Sequence, residues 1–403
     1  MLHCDKSILR RNNPLPTLTG RLCSAILRTR MFPLLLANFL SHMVPRHGRR
    51  RIGGSSRGSR TRGKPVNLAL QGGGAHGAFT WGVLDQLLAD GRIRIDGISG
   101  TSAGALNAVV LVDGLIRGGA DEARARLADF WRAVSVDGHL PDLQRAVVER
   151  LFPLATTGGV WFGPLTRLLS PYDDNPLKIN PLKEVVERFV DFEVLRRDTG
   201  RAIFVSATDV RTGEPRIFTR EEITPEVIMA SAALPLLFRA VQIDGVPYWD
   251  GGYSGNPALV PFLRATETED VLVVQINPRE RREVPTRARE IMSRISEINF
   301  NAPLLSELRG IAFVNRLIDE GRLSPGTGPG AFRRLKLHRI VMDELGERSG
   351  ARGTLARDYE HFEALRKLAQ RATRRFLDAH FDDIGRRSTI DISAHAEAEL
   401  AEL

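Results

Sequence analysis

Cysteine is nearly absent from this sequence, and its two copies lie outside the main body of the chain. The 403 residues contain only Cys4 and Cys23, so no disulfide can join elements beyond residue 65. Aromatic residues make up 6% of the chain. No stretch approaches the roughly 18 consecutive apolar residues of a membrane-spanning helix. The hydrophobic content of 42% still suffices for a sizeable core, so the composition predicts a globular protein without a transmembrane anchor.

Acidic residues are almost missing from residues 1–65, which hold 14 Lys and Arg but only Asp5 as an acid. Once these are taken from the totals of 57 and 48, the remaining chain carries 43 basic and 47 acidic side chains. The net charge of +9 therefore belongs to the extension, which we interpret as basic and disordered. Contact with an anionic membrane is an alternative role for it. Because the body is net negative, we expect no nucleic-acid partner.

An apolar run at 31–44 follows arginines, which is the order found in a secretory signal. The run lies far from the N-terminus, contains Pro33 and Asn38, and continues into an arginine-rich stretch instead of a small-residue cleavage site. The sequence therefore predicts a cytoplasmic protein, with peripheral membrane association as the alternative that the basic extension offers.

Regular structure begins at 66–70, a short apolar run that is typical of a buried strand. A helical spacing at 76–90, a second strand at 93–98 and a small apolar helix at 105–111 follow. This order indicates a βαβ unit, and hence an α/β fold with a mainly parallel central sheet. Further strands are predicted at 201–206, 215–218, 240–243 and 271–276, and further helices at 121–135, 181–190 and 225–232.

The sequence becomes charged and helical after Pro278. Apolar residues three or four apart predict helices at 285–297, 303–320 and 355–381. We interpret 66–278 as the main domain, 279–385 as a helical C-terminal layer packed on it, and 386–403 as a tail. An amphipathic lid or lipid-docking surface is the alternative for the same helices.

The sequence Gly-Thr-Ser-Ala-Gly at 100–104 fits the nucleophile-elbow pattern, with a predicted strand before it and a helix after it. Gly100 and Gly104 are needed because a side chain there would clash in so tight a turn. Ser102 at the centre is held in a strained conformation with its hydroxyl presented. The motif predicts Ser102 as a catalytic nucleophile.

A glycine-rich loop, Gly72-Gly73-Gly74-Ala-His-Gly77, follows the first strand and admits two interpretations. It matches the dinucleotide-binding fingerprint, with Asp96 in the next strand as the ribose ligand of an oxidoreductase. Because the next strand leads into the elbow, the same backbone N–H groups also suit an oxyanion hole beside the serine. We favour the oxyanion hole.

No histidine makes a convincing base for the serine. His338 is the best placed, since it ends an apolar run, but a structural role is the usual one for such a histidine. Asp250 precedes Gly251 and Gly252 after an apolar segment, so its carboxylate is expected in a tight, partly dry loop. Desolvation raises the pKa of a carboxylate and makes it a better base toward a hydroxyl.

The glycine loop, the elbow about 30 residues later and the late Asp-Gly-Gly resemble, in that order, the patatin-like phospholipases. The resemblance extends through the segments 204–210, 231–235 and 248–252. It implies a three-layer α/β/α sandwich and hydrolysis of lipid acyl esters through an acyl-enzyme, without metal or cofactor.

The same resemblance implies a Ser102–Asp250 dyad without histidine, in which Asp250 accepts the proton. It places the oxyanion hole in the loop glycines Gly72, Gly73, Gly74 and Gly77 and in Ala103, with Gly73, Gly74 and Ala103 as the main N–H donors. The physiological lipid and the positional preference are not readable from the motifs.

One residue departs from the family pattern. His76 stands in the glycine loop where many relatives carry Arg or Lys, and histidine is cationic only at lower pH. The departure weakens the case for electrostatic help from this position but leaves the backbone donors intact. A non-catalytic lipid-binding protein is the second alternative to a hydrolase.

Overall fold

A computed structural model describes residues 63–135, 181–235, 237–281, 283–326, 332–342 and 359–390. All of them belong to one compact unit, 51–403. The strands are β1 (Lys64–Leu70), β2 (Ile93–Gly100), β3 (Ala202–Asp209), β4 (Pro215–Thr219), β5 (Val241–Ile243), β6 (Val246–Asp250), β7 (Asp270–Gln275) and β8 (Lys336–Val341). The helices are α1 (Gly77–Asp90), α2 (Ala103–Ala133), α3 (Pro181–Phe189), α4 (Phe192–Arg197), α5 (Pro225–Ser231), α6 (Ala288–Asp319) and α7 (Tyr359–His380).

The eight strands form one sheet in the order β5-β6-β3-β2-β1-β7-β8, with β4 paired to β3. The neighbouring strands β3, β2, β1, β7 and β8 pair in parallel, whereas the pairs that involve β4, β5 and β6 are antiparallel. The crossover through α1 brings strands β1 and β2 side by side, and α2 lies in the connection from β2 to β3, as βαβ units require. The predicted mainly parallel α/β sheet is therefore confirmed.

Strand β3 continues past the end of its neighbour β2, whose last residue Gly100 pairs with Val205, and this offset positions the site. Its first half pairs with β2 through Ala202–Val205, and its last residues, from Ala207 to Asp209, pair with β6. Since β4 occupies the other edge of the same strand, β2 and β6 share one edge, end to end. The end of β6 therefore meets the end of β2.

Side chains alternate between two covered faces of the sheet, as the strand period dictates. Val66, Leu68 and Leu70 enter a core built with α1, α2 and α7. On the opposite face Asn67 donates to the Thr266 hydroxyl at 2.9 Å, and Phe204 packs on Phe262. Helix α6 closes this second face, which gives the predicted three-layer α/β/α arrangement.

Several predicted boundaries differ from the structure. The span of α2 is divided by a kink at Gly119 (φ 76°, ψ −151°), so the two predicted helices, 105–111 and 121–135, remain two helical segments and the first one is longer than predicted. Helix α6, by contrast, runs through Pro303 and joins the predicted helices at 285–297 and 303–320. In the described part of the chain, α2 alone has the length and apolar composition to cross a membrane, and 67% of its apolar window is buried inside the protein.

The C-terminal region is more than a helical layer. Strand β8 joins the sheet beside β7, and α7 packs on α1. The first residues of the predicted tail also bind the sheet, because the Thr389 N–H donates to the Leu337 carbonyl at 2.9 Å. The apolar run at 31–44, His139 and His395 lie outside the described residues, as do nearly all of the predicted extension and the end of the tail.

Candidate functional site

Ser102 lies in a strained turn between β2 and α2, with φ 53° and ψ −122°. Within the described residues, Ser102 and Asp244 are the two non-glycine residues with positive φ. Such a conformation costs about 1–3 kcal/mol and persists where the surroundings enforce it. Here they do so through Gly100, since a Cβ on this residue would lie 2.7 Å from the backbone of Gly104.

The elbow is fastened by side chains that the sequence did not single out for a role. The Ser102 N–H donates to the Ser231 hydroxyl at 2.9 Å, and the Thr101 hydroxyl donates to the Gly255 carbonyl at 2.7 Å. Ser231 belongs to the segment 231–235, which carried the resemblance but no assigned function. Because its own N–H is used in this way, Ser102 contributes no free backbone donor to the site.

Asp250 is the last residue of β6 and is fully buried, at 0% exposure. Its position in a strand differs from the predicted loop: residues 241–250 form a hairpin through the turn at Asp244 and Gly245. The pairing of Asp250 with Ala207 of β3 carries it to the end of β2. Strand pairing, more than the two following glycines, therefore sets the place of this carboxylate.

The Asp250 carboxylate is partly unsatisfied. Its Oδ1 accepts from the Gly252 N–H at 2.7 Å, whereas Oδ2 is buried without a partner of hydrogen-bond geometry among the described residues. Burial raises the pKa of Asp250 to about 7, against the opposing effects of the Gly252 N–H and the Ser102 hydroxyl. The structure thus brings the two predicted dyad members together and leaves one oxygen of the acid available.

The glycine loop lies against the serine, since a Cβ on Gly72 would stand 2.8 Å from the Ser102 Cβ. The Gly72 N–H donates to Asn256 Oδ1 at 2.6 Å, and the Gly77 N–H binds carbonyls inside the loop itself. In the described structure the N–H groups of Gly73, Gly74 and Ala103 have no partner. Of the five residues predicted for an oxyanion hole, these three therefore have a backbone N–H group available to bind an oxyanion.

A network of buried amide side chains is hydrogen-bonded to the glycine loop and fixes its position. The Gln71 carbonyl oxygen accepts from the Ile276 and Asn277 N–H groups at 2.9 and 3.0 Å. Asn277 donates to the Gly72 carbonyl at 2.7 Å, and the Gln71 amide donates to Asn301 of α6 at 3.1 Å. Sequence reasoning missed these residues because their partners lie about 180 to 230 positions away.

His76 is half-buried in the loop and is neutral near pH 7. Desolvation and, to a smaller extent, the proximity of His361 lower the pKa of His76 to about 4, against a smaller raising effect of Glu297. The predicted absence of a permanent cation at this position therefore holds at physiological pH.

His338, the strongest histidine candidate in the sequence, is not at this site. It lies inside β8, where its Nε2 meets Asp270 Oδ1 at 2.9 Å and its Nδ1 meets the Thr389 hydroxyl at 3.2 Å. The dinucleotide alternative also fails on geometry. Asp96 lies in the first half of β2, where it binds the Thr268 N–H, and so stands at the opposite end of the sheet from the glycine loop.

The sequence of residues 68–263 matches the family model described as patatin-like phospholipase. Residues 68–263 form a patatin-like phospholipase domain. The predicted resemblance is confirmed, and the family-level activity is lipid hydrolysis. The patatin-like domain includes the glycine loop, Ser102 and Asp250.

Structural comparison relates this chain to two solved bacterial proteins at low similarity. VipD from Legionella pneumophila is 14% identical, with 76% of this chain and 67% of that chain covered and a TM-score of 0.28. The ExoU–SpcU complex of the type III secretion system of Pseudomonas aeruginosa gives 17% identity, 84% and 76% coverage and a TM-score of 0.27. At such TM-scores neither likeness bears on mechanism. A search of curated proteins gave no match.

Proposed function

We propose that this protein hydrolyses acyl esters of glycerophospholipids or related lipids through a Ser102–Asp250 dyad. The observation that carries the proposal is the buried Asp250 carboxylate, which has a raised pKa and an unpartnered oxygen beside a serine held in a strained elbow. Membership of the patatin-like phospholipases supplies the reaction class. The basic extension further supports a cytoplasmic enzyme that acts at a membrane surface.

In the first half-reaction, the ionised Asp250 accepts the hydroxyl proton of Ser102 while the serine oxygen bonds to the ester carbonyl carbon. The bond between this carbon and the leaving alcohol then breaks, and Asp250 returns the proton to that alcohol. An acyl-serine remains. The raised pKa suits this double role, since a base near the working pH both accepts and releases a proton readily.

The N–H groups of Gly73, Gly74 and Ala103 stabilise the negative charge that develops on the carbonyl oxygen. These donors are unpartnered in the described structure and lie in a loop fixed by buried amides. Donors that are already oriented stabilise the charge without reorganisation, and the loss of one costs about 2.7–4 kcal/mol of barrier. The N-terminus of α2, which begins at Ala103, adds a favourable dipole.

Water completes the second half-reaction. It attacks the acyl carbon, gives one proton to Asp250, and releases the fatty acid as the proton returns to Ser102. No proton carrier besides Asp250 is needed in this scheme, because the same carboxylate serves both steps.

The experiment compares the parent with Ser102→Ala on a p-nitrophenyl acyl ester and on phosphatidylcholine. Ser99→Ala is the matched control, since Ser99 is also buried and its hydroxyl has no partner. We expect kcat/KM to fall at least about 10³-fold for Ser102→Ala and to stay near the parent for the control. A folded Ser102→Ala protein that retains turnover would falsify the mechanism. An inactive parent that binds phosphatidylcholine vesicles would instead favour the non-catalytic alternative.

A further inference from the structure

Phe300 is a buried residue of α6 that contacts the loop following Asp250. Helix α6 spans Ala288–Asp319 and so lies beyond residues 68–263, which form the patatin-like domain. The Phe300 ring occupies the space of a side chain on Gly252, since a Cβ there would stand 2.8 Å from the Cδ1 of the ring. A residue outside the family domain therefore closes one side of the proposed catalytic loop.

Tyr253 lies in the same loop and adds a second ring to this contact. Its ring packs edge-on against the Phe300 ring, with centroids 5.4 Å apart. The Gly252 N–H, one residue before Tyr253, donates to Asp250 Oδ1 at 2.7 Å. The glycine that binds the carboxylate is thus the one on which the Phe300 ring packs. We call Phe300 and Tyr253 the aromatic pair.

The backbone carbonyl of Phe300 contacts the other half of the site. It accepts from the Asn256 side-chain amide at 3.0 Å and from the Gln71 side-chain amide at 3.3 Å. Asn256 in turn binds the Gly72 N–H, and Gln71 directly precedes the glycine loop. One residue of α6 therefore contacts both the loop after the proposed base and the side chains that hold the proposed oxyanion donors.

The surroundings of Asp250 act on its pKa mainly through desolvation. The carboxylate residue pairs with Ala207, and its N–H donates to the Ala233 carbonyl at 2.8 Å. Among the residues that the structure describes, the titratable groups beside it are the Ser102 hydroxyl and the Tyr253 phenol. Burial and, to a smaller extent, the Asp250 charge raise the pKa of Tyr253 to about 12, so the phenol is neutral at pH 5 to 8. Groups that exclude water from the carboxylate therefore matter more here than charges do.

We infer that Phe300 is a positioning residue of the proposed reaction, which together with Tyr253 excludes water from the Asp250 carboxylate and holds the two loops of the site. The inference rests on the proposed function and deepens it, because it names the residue that gives the proposed base its dry environment. It also makes α6 part of the functional unit, although this helix lies outside the family domain.

The test compares the pH profile of kcat/KM between the parent and Phe300→Ala on a soluble p-nitrophenyl acyl ester. Removal of the ring admits water to the carboxylate, and water favours its ionised form. We expect the midpoint of the profile to fall by about one pH unit. We also expect kcat/KM at pH 8 to fall about tenfold, because the Gly252 turn loses its support. Phe300→Leu restores an apolar side chain and should recover at least about half of both effects.

Phe376→Ala is the matched control, since Phe376 is 7% exposed and Phe300 is 9% exposed. Phe376 packs from α7 against His338 at the amino end of the sheet, with ring centroids 6.2 Å apart. This variant should lose stability but keep the midpoint and kcat/KM of the parent. An unchanged midpoint in folded Phe300→Ala overturns the inference, as does an equal shift in Phe376→Ala or in Phe300→Leu.

Tyr253→Ala tests the outer ring of the aromatic pair at a residue that is 44% exposed, so its folding is at less risk. The midpoint should fall in the same direction as in Phe300→Ala and by a smaller amount. Should Phe300→Ala fail to fold, an unchanged midpoint in Tyr253→Ala overturns the inference.

Denaturant unfolding titrates Asp250 without catalysis and so separates this inference from the proposed function. The stabilising contribution of a carboxyl with a raised pKa is lost as the pH rises through that pKa. The denaturant midpoint, taken as the difference from the matching Asp250→Asn protein, should stop falling about one pH unit lower in Phe300→Ala than in the parent. If the parent cleaves no ester but this shift is present, the catalytic proposal fails and the shielding of Asp250 by Phe300 stands. If the parent is active and neither midpoint moves, the dyad stands and this inference fails.

Discussion

The two ends of the parallel sheet each hold a buried aspartate, and the two carboxylates differ in their partners. At the carboxyl end, Asp250 has one backbone donor on Oδ1, the Ser102 hydroxyl nearby and an unpartnered Oδ2. At the amino end, Asp270 Oδ1 meets both His338 Nε2 at 2.9 Å and the Gly385 N–H at 2.7 Å. Asp270 thus has two partners on one oxygen, whereas Oδ1 of Asp250 has one.

An Asp–His contact such as that of Asp270 with His338 therefore does not by itself mark an active site. His338 bonds Asp270 on one side and Thr389 on the other, so all three side chains hold the C-terminal segment against β8. Asp250, by contrast, keeps capacity for one more proton donor. A carboxylate that is desolvated and incompletely bonded is the better general base.

The largest expected difference between the two ends is in activity. Asp250→Asn should lower kcat/KM about 10³–10⁴-fold, because no base remains to take the Ser102 proton. Asp270→Asn should lose about 1–3 kcal/mol of folding free energy, from its bond to His338, but keep its turnover. Steady-state kinetics and thermal unfolding of both variants check this. Comparable loss of turnover at both ends would remove the distinction.

The pH dependence of kcat/KM should also distinguish Asp250 from the Asp270–His338 pair. Because the base must be ionised and the pKa of Asp250 is raised to about 7, kcat/KM should rise as the pH increases from 5 to 8. The rise should be about tenfold per pH unit well below the midpoint. His338→Gln, at the amino end, should leave the midpoint unchanged. A profile that is flat over this range contradicts the assignment of Asp250.

Each end of the sheet also has a buried asparagine whose side chain bonds backbone groups. Asn256 holds the Gly72 N–H at the carboxyl end, whereas Asn315 holds the Leu335 backbone at the amino end. Asn256→Ala should lower kcat about 10–100-fold, because a glycine loop displaced by a fraction of an ångström misaligns the donors. Asn315→Ala should lower stability with kcat unchanged. Kinetics at temperatures where both variants are folded distinguish the two roles.

Stability should respond to Asp250 in the opposite direction from activity. The pKa of Asp250 is raised above its ordinary 3.8, so its favourable contribution to folding is complete below about pH 4 and lost as the pH rises through 7. Asparagine stays neutral, so Asp250→Asn should gain about 4 kcal/mol over the parent at pH 8 and about half as much at pH 5. Denaturant unfolding at both pH values measures this gain. Equal effects at the two pH values would contradict the raised pKa.

The smallest effect is expected at His76. Because the pKa of His76 is lowered to about 4, the side chain carries no charge at pH 6 to 8. His76→Gln should therefore change kcat/KM by less than about threefold, and equally at both pH values. A strong loss that grows toward pH 6 would instead reveal a cationic role in the loop.

The local motifs were predictable because each depends on nearby chain geometry. Gly100 and Gly104 mark the elbow through close contacts within the turn and with β1, and the glycine run marks a loop after a strand. The hairpin that carries Asp250 was not predicted, since its turn at Asp244 looked like part of a longer loop. The sequence predicts two helices, 285–297 and 303–320, with a gap before Pro303, although the structure continues one helix through this residue.

Local patterns in the sequence predict the α/β order and the elbow, because strand and helix periods and glycine spacing are local properties. The pairing of Asp250 with Ser102 was implied by the resemblance to a family, and only the tertiary structure shows how it arises, since β6 reaches the elbow by pairing with the end of β3. The tertiary structure also decided which N–H groups stay unpartnered, through amides some 200 positions away. Burial and long-range pairing are properties of the whole chain, and no local pattern encodes them.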